Sequence, residues 1–430
     1  MRILVVGSGG REHALAQSLS QNQAVDTLLI APGNPGTAAC GTNVDIAADD
    51  IEELRSFAQD QEVDLTVVGP EQPLVDGIVD RFEAAGLRIV GPSQAAAQLE
   101  GSKAFANQFM ERHGIPTATF RVFEADAVEA ASAYVDTVGA PIVVKADGLA
   151  AGKGAFVCSS VAEAQDALDQ IVRDRAFGAA GDQVVIEEKM DGEEVSVFAL
   201  TDGSEYVLLP PSQDHKPIGE GGTGPNTGGM GAFAPAPLLD ARLLQEVCDR
   251  IIEPTLQGMK AEGTPYRGVL YCGLMITAEG PKVVEYNCRL GDPEAQVVLP
   301  LLASDLVEVL RRVAAGDLQS MSVRTRPGAA ACVVLASGGY PTDYETGVEI
   351  TGIEAAEALP QVSVLHAGTR RRPDGTLVTD GGRVLGVTAR DADLSSAVDH
   401  AYEGADFIDF KGKTLRRDIG EKGLAHLRTD

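Results

Sequence analysis

The stretch VVEYNCRLGDPEAQ, from Val283 to Gln296, begins as an apolar strand and ends in a dense run of charged and amide side chains. Glu285, Asn287 and Arg289 are spaced two residues apart, so an extended strand presents them on one face. Carboxylate and amide oxygens suit Mg²⁺, which keeps several waters and takes further ligands from nucleotide phosphates. An arginine can hold a carboxylate or a phosphate through two parallel hydrogen bonds. The pattern predicts a metal and anion site, with Glu285 and Asn287 as the metal ligands, and a solvated strand edge is the alternative.

The segments on either side of this stretch extend the prediction. Upstream, YRGVLYCGLMITAEG reads as a strand that pairs with it across a turn, and Cys288 lies on the apolar face, which predicts packing. Downstream, Asp292 followed by Pro293 is typical of a helix start, with Asp292 as the N-cap. We therefore expect a helix over PEAQVVLPLLASDLVEVLRRVAAG.

The first hundred residues alternate short, nearly continuous apolar runs with amphipathic segments. This alternation is typical of a parallel sheet that is covered by helices on both faces. Four of the apolar runs end at a glycine, namely Gly7, Gly33, Gly69 and Gly91. Because ligands bind at the carboxyl ends of the strands in such sheets, we expect a doubly wound N-terminal domain over residues 1–102 with a binding site at these turns.

The rest of the chain follows a different pattern. GSKAFANQFMERHGIP predicts a helix with Ser102 as its N-cap, while PIVVKADGLAAGKGAFVC and QVVIEEKMDGEEVSVFALTDG each predict a hairpin. A long glycine-rich stretch follows, and the last hundred residues are mostly strands and turns. We predict an α/β and α+β multidomain protein, with a central domain over 103–326 and a small, mostly-β C-terminal domain over 327–430.

The composition narrows the classes of function. The 430 residues carry a net charge of −28, which argues against nucleic-acid binding because a phosphate-binding surface needs clustered Lys and Arg. The six cysteines lie far apart, which suits reduced thiols, and no segment resembles a signal peptide or a membrane span. We expect a cytoplasmic monomer that acts on small molecules and has neither nucleic acid nor membrane as a partner.

The segment VVGSGGREHA, from Val5 to Ala14, connects the first strand to the first helix. Its small residues would let backbone N–H groups and the helix N-terminus meet an anion such as phosphate. Two other interpretations stay open. The glycines can serve chain reversal alone, or they can form a dinucleotide site, although Glu12 stands where that fingerprint requires its third glycine.

Lysine is scarce, with ten residues in the chain and none before Lys103. Lys145 at a strand end and Lys153 in a glycine-rich loop are placed to contact phosphates, but the loop does not match the P-loop pattern. The strand backbone at Glu187–Lys189 can pair with an adenine edge, and Glu194 can accept ribose hydroxyls. Ordinary surface charge is the alternative for that segment.

The order of these motifs, together with APGNPGT, VVGPEQPLVDGI, SQDHK and GPNTGGMGAFAP, resembles the phosphoribosylamine–glycine ligase family of the ATP-grasp superfamily along essentially the whole chain. The resemblance implies a central ATP-grasp fold with a mobile, nucleotide-covering lobe over about 121–190. It also implies a carbon–nitrogen ligase of de novo purine biosynthesis. The implied reaction joins glycine to 5-phosphoribosylamine through glycyl phosphate and gives glycinamide ribonucleotide, ADP and phosphate.

The resemblance further implies roles for individual residues. Arg289, Asp214 and Lys145 would be catalytic, through positioning and charge neutralisation. Glu285 and Asn287 would hold Mg²⁺ or Mn²⁺, and loop 219–231 would close over the acyl phosphate. The residues that would bind ATP are Lys103, Lys145, Lys153, Glu187, Glu188, Lys189 and Glu194. The residues that would bind the other substrates are Gly9, Gly10, Arg11, Glu12, Asn34, Gly69, Pro70, Glu71, Asp214, Lys216, Arg289, Gly291 and Asp292.

Two further expectations concern a second metal ion and the role of His215. YCGLMIT has no carboxylate where many ATP-grasp enzymes place another metal ligand, so a second metal is not expected. His215 is not expected to act as a base, because an unprotonated amine needs little help as a nucleophile. The competing functions are an ATP-grasp ligase that carboxylates an aminoimidazole nucleotide, a nicotinamide oxidoreductase, and a nucleotide-binding regulator without turnover.

Overall fold

The N-terminal region forms the parallel sheet that its apolar runs predict. The structure is a computed structural model that describes residues 1–150 and 153–428. Five parallel strands lie in the order β3-β2-β1-β4-β5, with four of the helices between them in the chain. In chain order these elements are β1 (Arg2–Gly7), α1 (Gly10–Ser20), β2 (Thr27–Pro32), β3 (Thr42–Asn43), α2 (Ile51–Asp60), β4 (Leu65–Val68), α3 (Glu71–Val75), α4 (Ile78–Ala84) and β5 (Ile89–Val90).

A separate lobe with its own apolar core follows the N-terminal sheet. Two helices lead into it, α5 (Gln98–Gly101) and α6 (Lys103–His113). The Ser102 hydroxyl accepts the Phe105 N–H at 3.0 Å, which confirms the predicted N-cap. The lobe is an antiparallel sheet in the order β6-β9-β7-β8, covered by two helices. Its elements are β6 (Phe120–Glu124), α7 (Val128–Val138), β7 (Ile142–Ala146), β8 (Ala155–Cys158), α8 (Val161–Leu168) and β9 (Gln183–Glu188).

A second antiparallel sheet in the order β11-β10-β16-β17 carries the opening stretch of the sequence. Strands β16 and β17 pair as predicted, with Tyr271 opposite Asn287 and Gly273 opposite Glu285. The elements of this region are β10 (Glu193–Thr201), β11 (Tyr206–Leu208), β12 (Gln213–Asp214), β13 (Pro217–Gly219), β14 (Thr223–Asn226), β15 (Gly231–Ala234), α9 (Ala241–Val247), α10 (Glu253–Ala261), β16 (Gly268–Thr277), β17 (Gly280–Asn287), α11 (Ala295–Val298) and α12 (Leu306–Ala315).

The C-terminal sheet combines strands from two distant parts of the chain. Its order is β12-β15-β18-β22-β19, so two strands from residues 213–234 complete a sheet whose other strands lie after residue 328. Helix α14 packs on this sheet. The elements are β18 (Ala329–Ala336), α13 (Ile353–Glu357), β19 (Val362–His366), β20 (Thr369–Arg371), β21 (Leu377–Thr379), β22 (Arg383–Asp391), α14 (Leu394–Phe407) and α15 (Glu421–Leu427).

Two local predictions are wrong. The segment from β9 to β10 is not a hairpin, because β9 pairs with β6 and β7 while β10 pairs with β11 and β16. Asp292 does not cap a long helix either. Helix α11 begins three residues later, a separate helix α12 begins at Leu306, and the Asp292 carboxylate instead accepts the Arg11 N–H at 3.2 Å. Tertiary partners therefore override the local patterns at both places.

The apolar cores join the N-terminal sheet to the rest of the protein. On one face, Leu4 and Val6 of β1 belong to the same buried cluster as Val197 of β10. On the other face, Ile3 and Val5 belong to a cluster that includes α12. These shared cores fix the carboxyl ends of the N-terminal strands relative to β17. No helix in the described ranges is both long and apolar enough to cross a membrane.

Candidate active site

Three lysines lie around the carboxylate of Glu285 near the end of β17. Lys216 Nζ is 3.1 Å from Glu285 Oε1 and 3.2 Å from Glu194 Oε2. The positive charge of Lys216, supported by those of Lys145 and Lys103, lowers the pKa of Glu285 to about 2. Glu285 is therefore ionised at neutral pH, and its charge is matched by ammonium groups from three separate elements.

Lys145 and Lys103 enter this group from the lobe and from the start of α6. Lys145 Nζ pairs with Glu187 Oε2 at 2.6 Å and donates to the Val284 carbonyl at 3.2 Å. Glu187 is buried and also accepts a hydrogen bond from Asn107 at 2.9 Å, so its side chain positions Lys145. Lys103 Nζ donates to the Gly148 carbonyl at 3.0 Å, and burial lowers its pKa.

The segment predicted to meet adenine lies at the end of β9. The Glu188 N–H donates to the Thr119 carbonyl at 2.9 Å, and the Glu188 carboxylate accepts the Thr119 N–H at 3.1 Å. The Lys189 ammonium pairs with Asp191 at 2.5 Å. Glu188 also lies 3.7 Å from Lys282 Nζ of β17, so both side chains already have partners in the protein.

Arg289 is held between two carboxylates. Its Nε donates to Glu71 at 3.1 Å and its Nη2 donates to Glu100 at 2.9 Å and to the Asn287 side-chain oxygen at 3.3 Å. Glu100 is buried, and it also accepts the Cys288 N–H at 2.7 Å and the Cys288 thiol at 2.9 Å. Burial raises the pKa of Glu100, whereas Arg289 counters it. The position of the guanidinium is therefore set by the protein itself.

The oxygen atoms of Glu285 and Asn287 fit a magnesium-type ion. Both side chains are partly exposed on one strand face, and they supply an ionised carboxylate and a neutral amide oxygen. Within the described residues, no group of three or more His, Cys, Asp and Glu side chains could hold a metal by itself. A site with few protein ligands is typical of Mg²⁺ that takes the rest of its shell from phosphates and water.

Protein carboxylates satisfy the N-terminus of α1. The Gly9 N–H donates to Glu12 at 2.5 Å, and the Arg11 N–H donates to Asp292 at 3.2 Å. The Arg11 guanidinium is buried, with its Nε on Glu12 at 2.6 Å and its Nη1 on the Leu290 carbonyl at 3.0 Å. Two of the N–H groups that were predicted to bind an anion are thus already bonded to carboxylates of the protein. The side chains of Glu12 and Arg11 bond to each other.

Several other predicted substrate residues shape the site through their backbone or their small size. Asn34 is buried and donates to the carbonyls of Ser8 and His366 at 2.8 and 2.9 Å, so its side chain ties the N-terminal region to β19. A Cβ atom at Gly69 would lie 1.9 Å from Glu12 Oε1, and one at Gly291 would lie 2.3 Å from Glu294 Oε2.

The remaining members of this set are also close to these contacts. A Cβ atom at Gly10 would lie 2.6 Å from Gln296 Nε2. Pro70 occupies the N-cap position of α3, immediately before Glu71, which contacts Arg289. The glycines at these turns therefore allow acidic and amide side chains to approach the backbone closely.

Asp214 ends β12, and His215 follows it directly. Burial raises the pKa of Asp214 to about 7, with Lys216 opposing the shift and Glu294 adding to it. The ring of His215 is buried near Phe233, and neither of its nitrogens has a hydrogen-bond partner within the described part of the chain. That His215 is not a base stays a prediction, and Asp214 is the carboxylate of this strand that interacts with the charge of Lys216.

The two glycine-rich segments both contact the C-terminal region. Lys153 Nζ donates to the Pro341 carbonyl at 2.9 Å, while Ala151 and Gly152 of the predicted phosphate loop lie outside the described residues. Strands β13 and β14 form a hairpin over residues 217–226, which overlaps the first part of the predicted loop, and its Gly221 N–H donates to Asp418 at 2.8 Å. The first part of the predicted closing loop is thus tied to the C-terminal region.

Four residues of the site were not predicted from the sequence. Glu100 anchors Arg289, and Tyr271 donates to the buried carboxylate of Glu294 at 2.7 Å. Arg383 donates through Nη1 to the Gly228 carbonyl at 2.8 Å and to the Asp292 carbonyl at 2.5 Å. Each contact joins parts of the chain that are far apart in sequence, so no spacing or motif signals it.

Comparison with known proteins identifies the family. Three family models match consecutive parts of the chain: Phosphoribosylglycinamide synthetase, N domain, over residues 1–100; its ATP-grasp (A) domain over 101–295; and its C domain over 330–422. The phosphoribosylamine–glycine ligase of Vibrio cholerae is 51% identical over 428 residues, which is 99% of each chain.

Solved structures agree with the sequence matches. The crystal structure of phosphoribosylamine–glycine ligase from Thermotoga maritima superimposes with a TM-score of 0.84 at 34% identity and covers 97% of this chain and all of that one. The biotin carboxylase domain of the Hydrogenobacter thermophilus 2-oxoglutarate carboxylase has a TM-score of 0.72 at 17% identity, over 96% of this chain and 91% of that one, and shows the shared fold.

These matches confirm the resemblance seen in the sequence, and they confirm the predicted combination of a parallel N-terminal sheet, a central ATP-grasp fold and a C-terminal antiparallel sheet. They also decide between the competing functions in favour of a phosphoribosylamine–glycine ligase. The chain therefore belongs to the phosphoribosylglycinamide synthetase family of ATP-grasp ligases.

Proposed function

We propose that this ligase joins glycine to 5-phosphoribosylamine in two steps, through glycyl phosphate, in purine biosynthesis. A glycine carboxylate oxygen attacks the γ-phosphorus of ATP, and ADP leaves. The amine then attacks the carbonyl carbon of glycyl phosphate, phosphate leaves, and the amine gives up a proton. The observation that carries the proposal is the convergence of Lys103, Lys145 and Lys216 on Glu285, because phosphoryl transfer depends on charge neutralisation and positioning.

The phosphates of ATP would lie at this group of lysines. Lys145 is already positioned by Glu187 and needs little reorganisation to meet an anion. Glu285 and Asn287 would hold Mg²⁺ or Mn²⁺, which when bound neutralises phosphate charge. The backbone of Glu187–Lys189 would meet adenine, and Glu194 would accept ribose hydroxyls through the oxygen that Lys216 does not engage. Lys153 would act from the loop above.

Glycine would bind between Asp214, Lys216 and Arg289. A partly buried carboxylate whose pKa is raised gains from a cationic partner, so Asp214 would receive the glycine ammonium. Arg289 Nη1 donates to the Leu290 carbonyl at 3.3 Å and has one further N–H, with which Arg289 would orient the glycine carboxylate. Because its two carboxylate partners already balance its charge, its contribution is geometric more than electrostatic.

The turns at Gly9, Gly69 and Gly291 would form the walls of the phosphoribosylamine pocket. The loop over 219–231 would exclude water from the acyl phosphate. We further propose a three-part division at about 102 and 326, in which the lobe over 121–190 moves when nucleotide binds. A cytoplasmic monomer without nucleic-acid or membrane partners completes the proposal.

ADP release with single substrates omitted tests the overall reaction. We expect release only when glycine and phosphoribosylamine are both present with Mg²⁺ and ATP. Turnover with bicarbonate and an aminoimidazole nucleotide instead would overturn the assignment. Thermal stabilisation by NAD and not by Mg-ATP would favour an oxidoreductase.

Hydroxylamine tests the intermediate, since it attacks acyl phosphates to give a hydroxamate and free phosphate. Enzyme, ATP, glycine and hydroxylamine without phosphoribosylamine should yield glycine hydroxamate and ADP in equal amounts. A sample without enzyme is the control. No hydroxamate above that control would count against glycyl phosphate.

A further inference from the structure

The phosphate group of phosphoribosylamine needs a cation that the residues predicted for it do not supply. The Arg11 guanidinium is buried and engaged by Glu12 and Leu290, and Arg289 is shared between two carboxylates. Two N–H groups at the start of α1 are bonded to Glu12 and Asp292. Carboxylates of the protein therefore occupy part of the expected anion position.

Arg383 is the first residue of β22, and the Nε and Nη2 edge of its guanidinium is open near Asp292. Its Nη1 is fixed by the carbonyls of Gly228 and Asp292, at 2.8 and 2.5 Å, and lies 3.3 Å from the Asp292 carboxylate. Within the described residues, neither Nε nor Nη2 of Arg383 has a hydrogen-bond partner. The side chain is 22% exposed, so this edge of the guanidinium is open to a ligand.

Two features hold the open edge beside the Gly9 turn. The backbone of Gly228 packs against the guanidinium, because a Cβ atom at Gly228 would lie only 2.9 Å from Arg383 Cζ. Asp292 joins Arg383 to the N-terminus of α1, and a Cβ atom at Gly9 would lie 3.1 Å from Asp292 Oδ2. The Nε and Nη2 groups form the planar fork that binds phosphate oxygens through two parallel bonds.

We propose that Arg383 binds the 5-phosphate of phosphoribosylamine through Nε and Nη2. This assignment rests on the proposed function, since it names the group that receives one of its substrates. The phosphate would lie between the C-terminal sheet and the Gly9 turn. Arg383 would thus select a phosphorylated ribosylamine over the free sugar.

Steady-state kinetics of Arg383→Ala test the assignment. Two charge-assisted hydrogen bonds at about 1.5 kcal/mol each correspond to a ~100-fold rise in KM for phosphoribosylamine. The KM values for ATP and glycine should stay within about twofold. Arg390 lies on the same strand and is exposed, so Arg390→Ala is the matched control and should change none of the three values.

Gly228→Ala provides a second variant that keeps the arginine. The added methyl group would displace the guanidinium, while the backbone of Gly228 does not require a positive φ. We expect a rise in the same KM, with a melting temperature close to that of the wild type. An equal loss of kcat in both variants with an unchanged KM for phosphoribosylamine would overturn the assignment and leave Arg383 as a structural link.

Inhibition by ribose 5-phosphate and by ribose separates this assignment from the proposed function. Ribose 5-phosphate should compete with phosphoribosylamine in the wild type and about 100-fold more weakly in Arg383→Ala, whereas ribose should inhibit both proteins equally. Equal inhibition of both proteins by ribose 5-phosphate would refute the phosphate-binding role of Arg383 and leave the proposed function untouched. A wild type that turns over no phosphoribosylamine would instead refute the proposed function.

Discussion

The stability of the protein should depend on the carboxylate of Glu100, because both of its oxygens accept hydrogen bonds. Its Oε2 accepts both the N–H and the thiol of Cys288, and its Oε1 accepts Arg289 Nη2. Glu100→Gln keeps the size of the side chain but replaces one acceptor oxygen with an NH₂ donor. Whichever way the amide turns, its NH₂ group faces a donor, either the Cys288 N–H or the Arg289 guanidinium.

The expected loss of stability follows from these contacts. A buried donor left without an acceptor costs about 1–3 kcal/mol, and loss of a hydrogen bond to a charged group costs about 1.5–3 kcal/mol. Glu71 still partners Arg289, so the second cost should fall near its lower end. We expect Glu100→Gln to lower the free energy of unfolding by about 3 kcal/mol and to reduce kcat, because Arg289 loses one of its two anchors.

Urea titration followed by circular dichroism measures the stability, and ADP release measures kcat. Glu83→Gln is the matched control, because Glu83 pairs with Arg267 at 2.9 Å on the surface and such pairs contribute about 1 kcal/mol or less. If Glu100→Gln changes the free energy of unfolding no more than Glu83→Gln does, the account of Arg289 as a residue held by two carboxylates is refuted.

Three further predictions concern the site and the junction between N- and C-terminal regions. Glu285→Ala should lower kcat at least about 100-fold. Its circular dichroism spectrum should show that the fold is retained, while its melting temperature should fall because three ammonium groups lose their shared carboxylate. Glu279→Ala on the adjoining turn should change neither kcat nor the melting temperature, and near-normal activity of Glu285→Ala in magnesium would remove Glu285 from the metal site. Arg289→Lys should lower kcat/KM by about tenfold or more, since a single ammonium cannot make the fork contacts with two carboxylates, and wild-type kinetics would contradict its proposed role. Burial lowers the pKa of His13 to about 3 and of His366 to about 4, while unfolded imidazoles titrate near 6.5. Between the folded and the unfolded pKa values the unfolded chain binds more protons, so acidification from pH 7 to pH 5 should lower the free energy of unfolding by about 2 kcal/mol per histidine. Urea titrations at both pH values should show a smaller loss in His13→Gln than in the wild type. An equal loss in both proteins would contradict the lowered pKa of His13.

Local sequence patterns predict those parts of the fold that depend on local physics. The N-terminal strands are buried on both faces, so their continuous apolar runs identify them. Ser102 begins a helix because its hydroxyl bonds a nearby N–H group. The β9–β10 segment has the same local appearance as a hairpin, but its two strands are drawn into different sheets by partners that no local pattern names.

The site divides in the same way. Glu285, Asn287 and Arg289 can be predicted together because strand periodicity alone puts them on one face. Glu100 contacts Arg289 across 189 residues, and Arg383 contacts Asp292 across 91 residues. Such pairings depend on how the sheets pack, so only a resemblance or a structure can bring them to notice. The prediction of Asp292 as an N-cap was wrong for the same reason, since its carboxylate accepts the Arg11 N–H and not an N–H of the following helix.

The shared C-terminal sheet has a practical consequence for anyone who cuts this protein into pieces. Strand β15 covers one side of β18 through the pairs Gly231–Val333 to Ala234–Ala330. A fragment that starts near residue 327 would leave that side of a fully apolar strand unpaired and open to other chains. Expression of the tail alone should therefore yield aggregates, while appending residues 213–234 through a flexible tether should restore a soluble product.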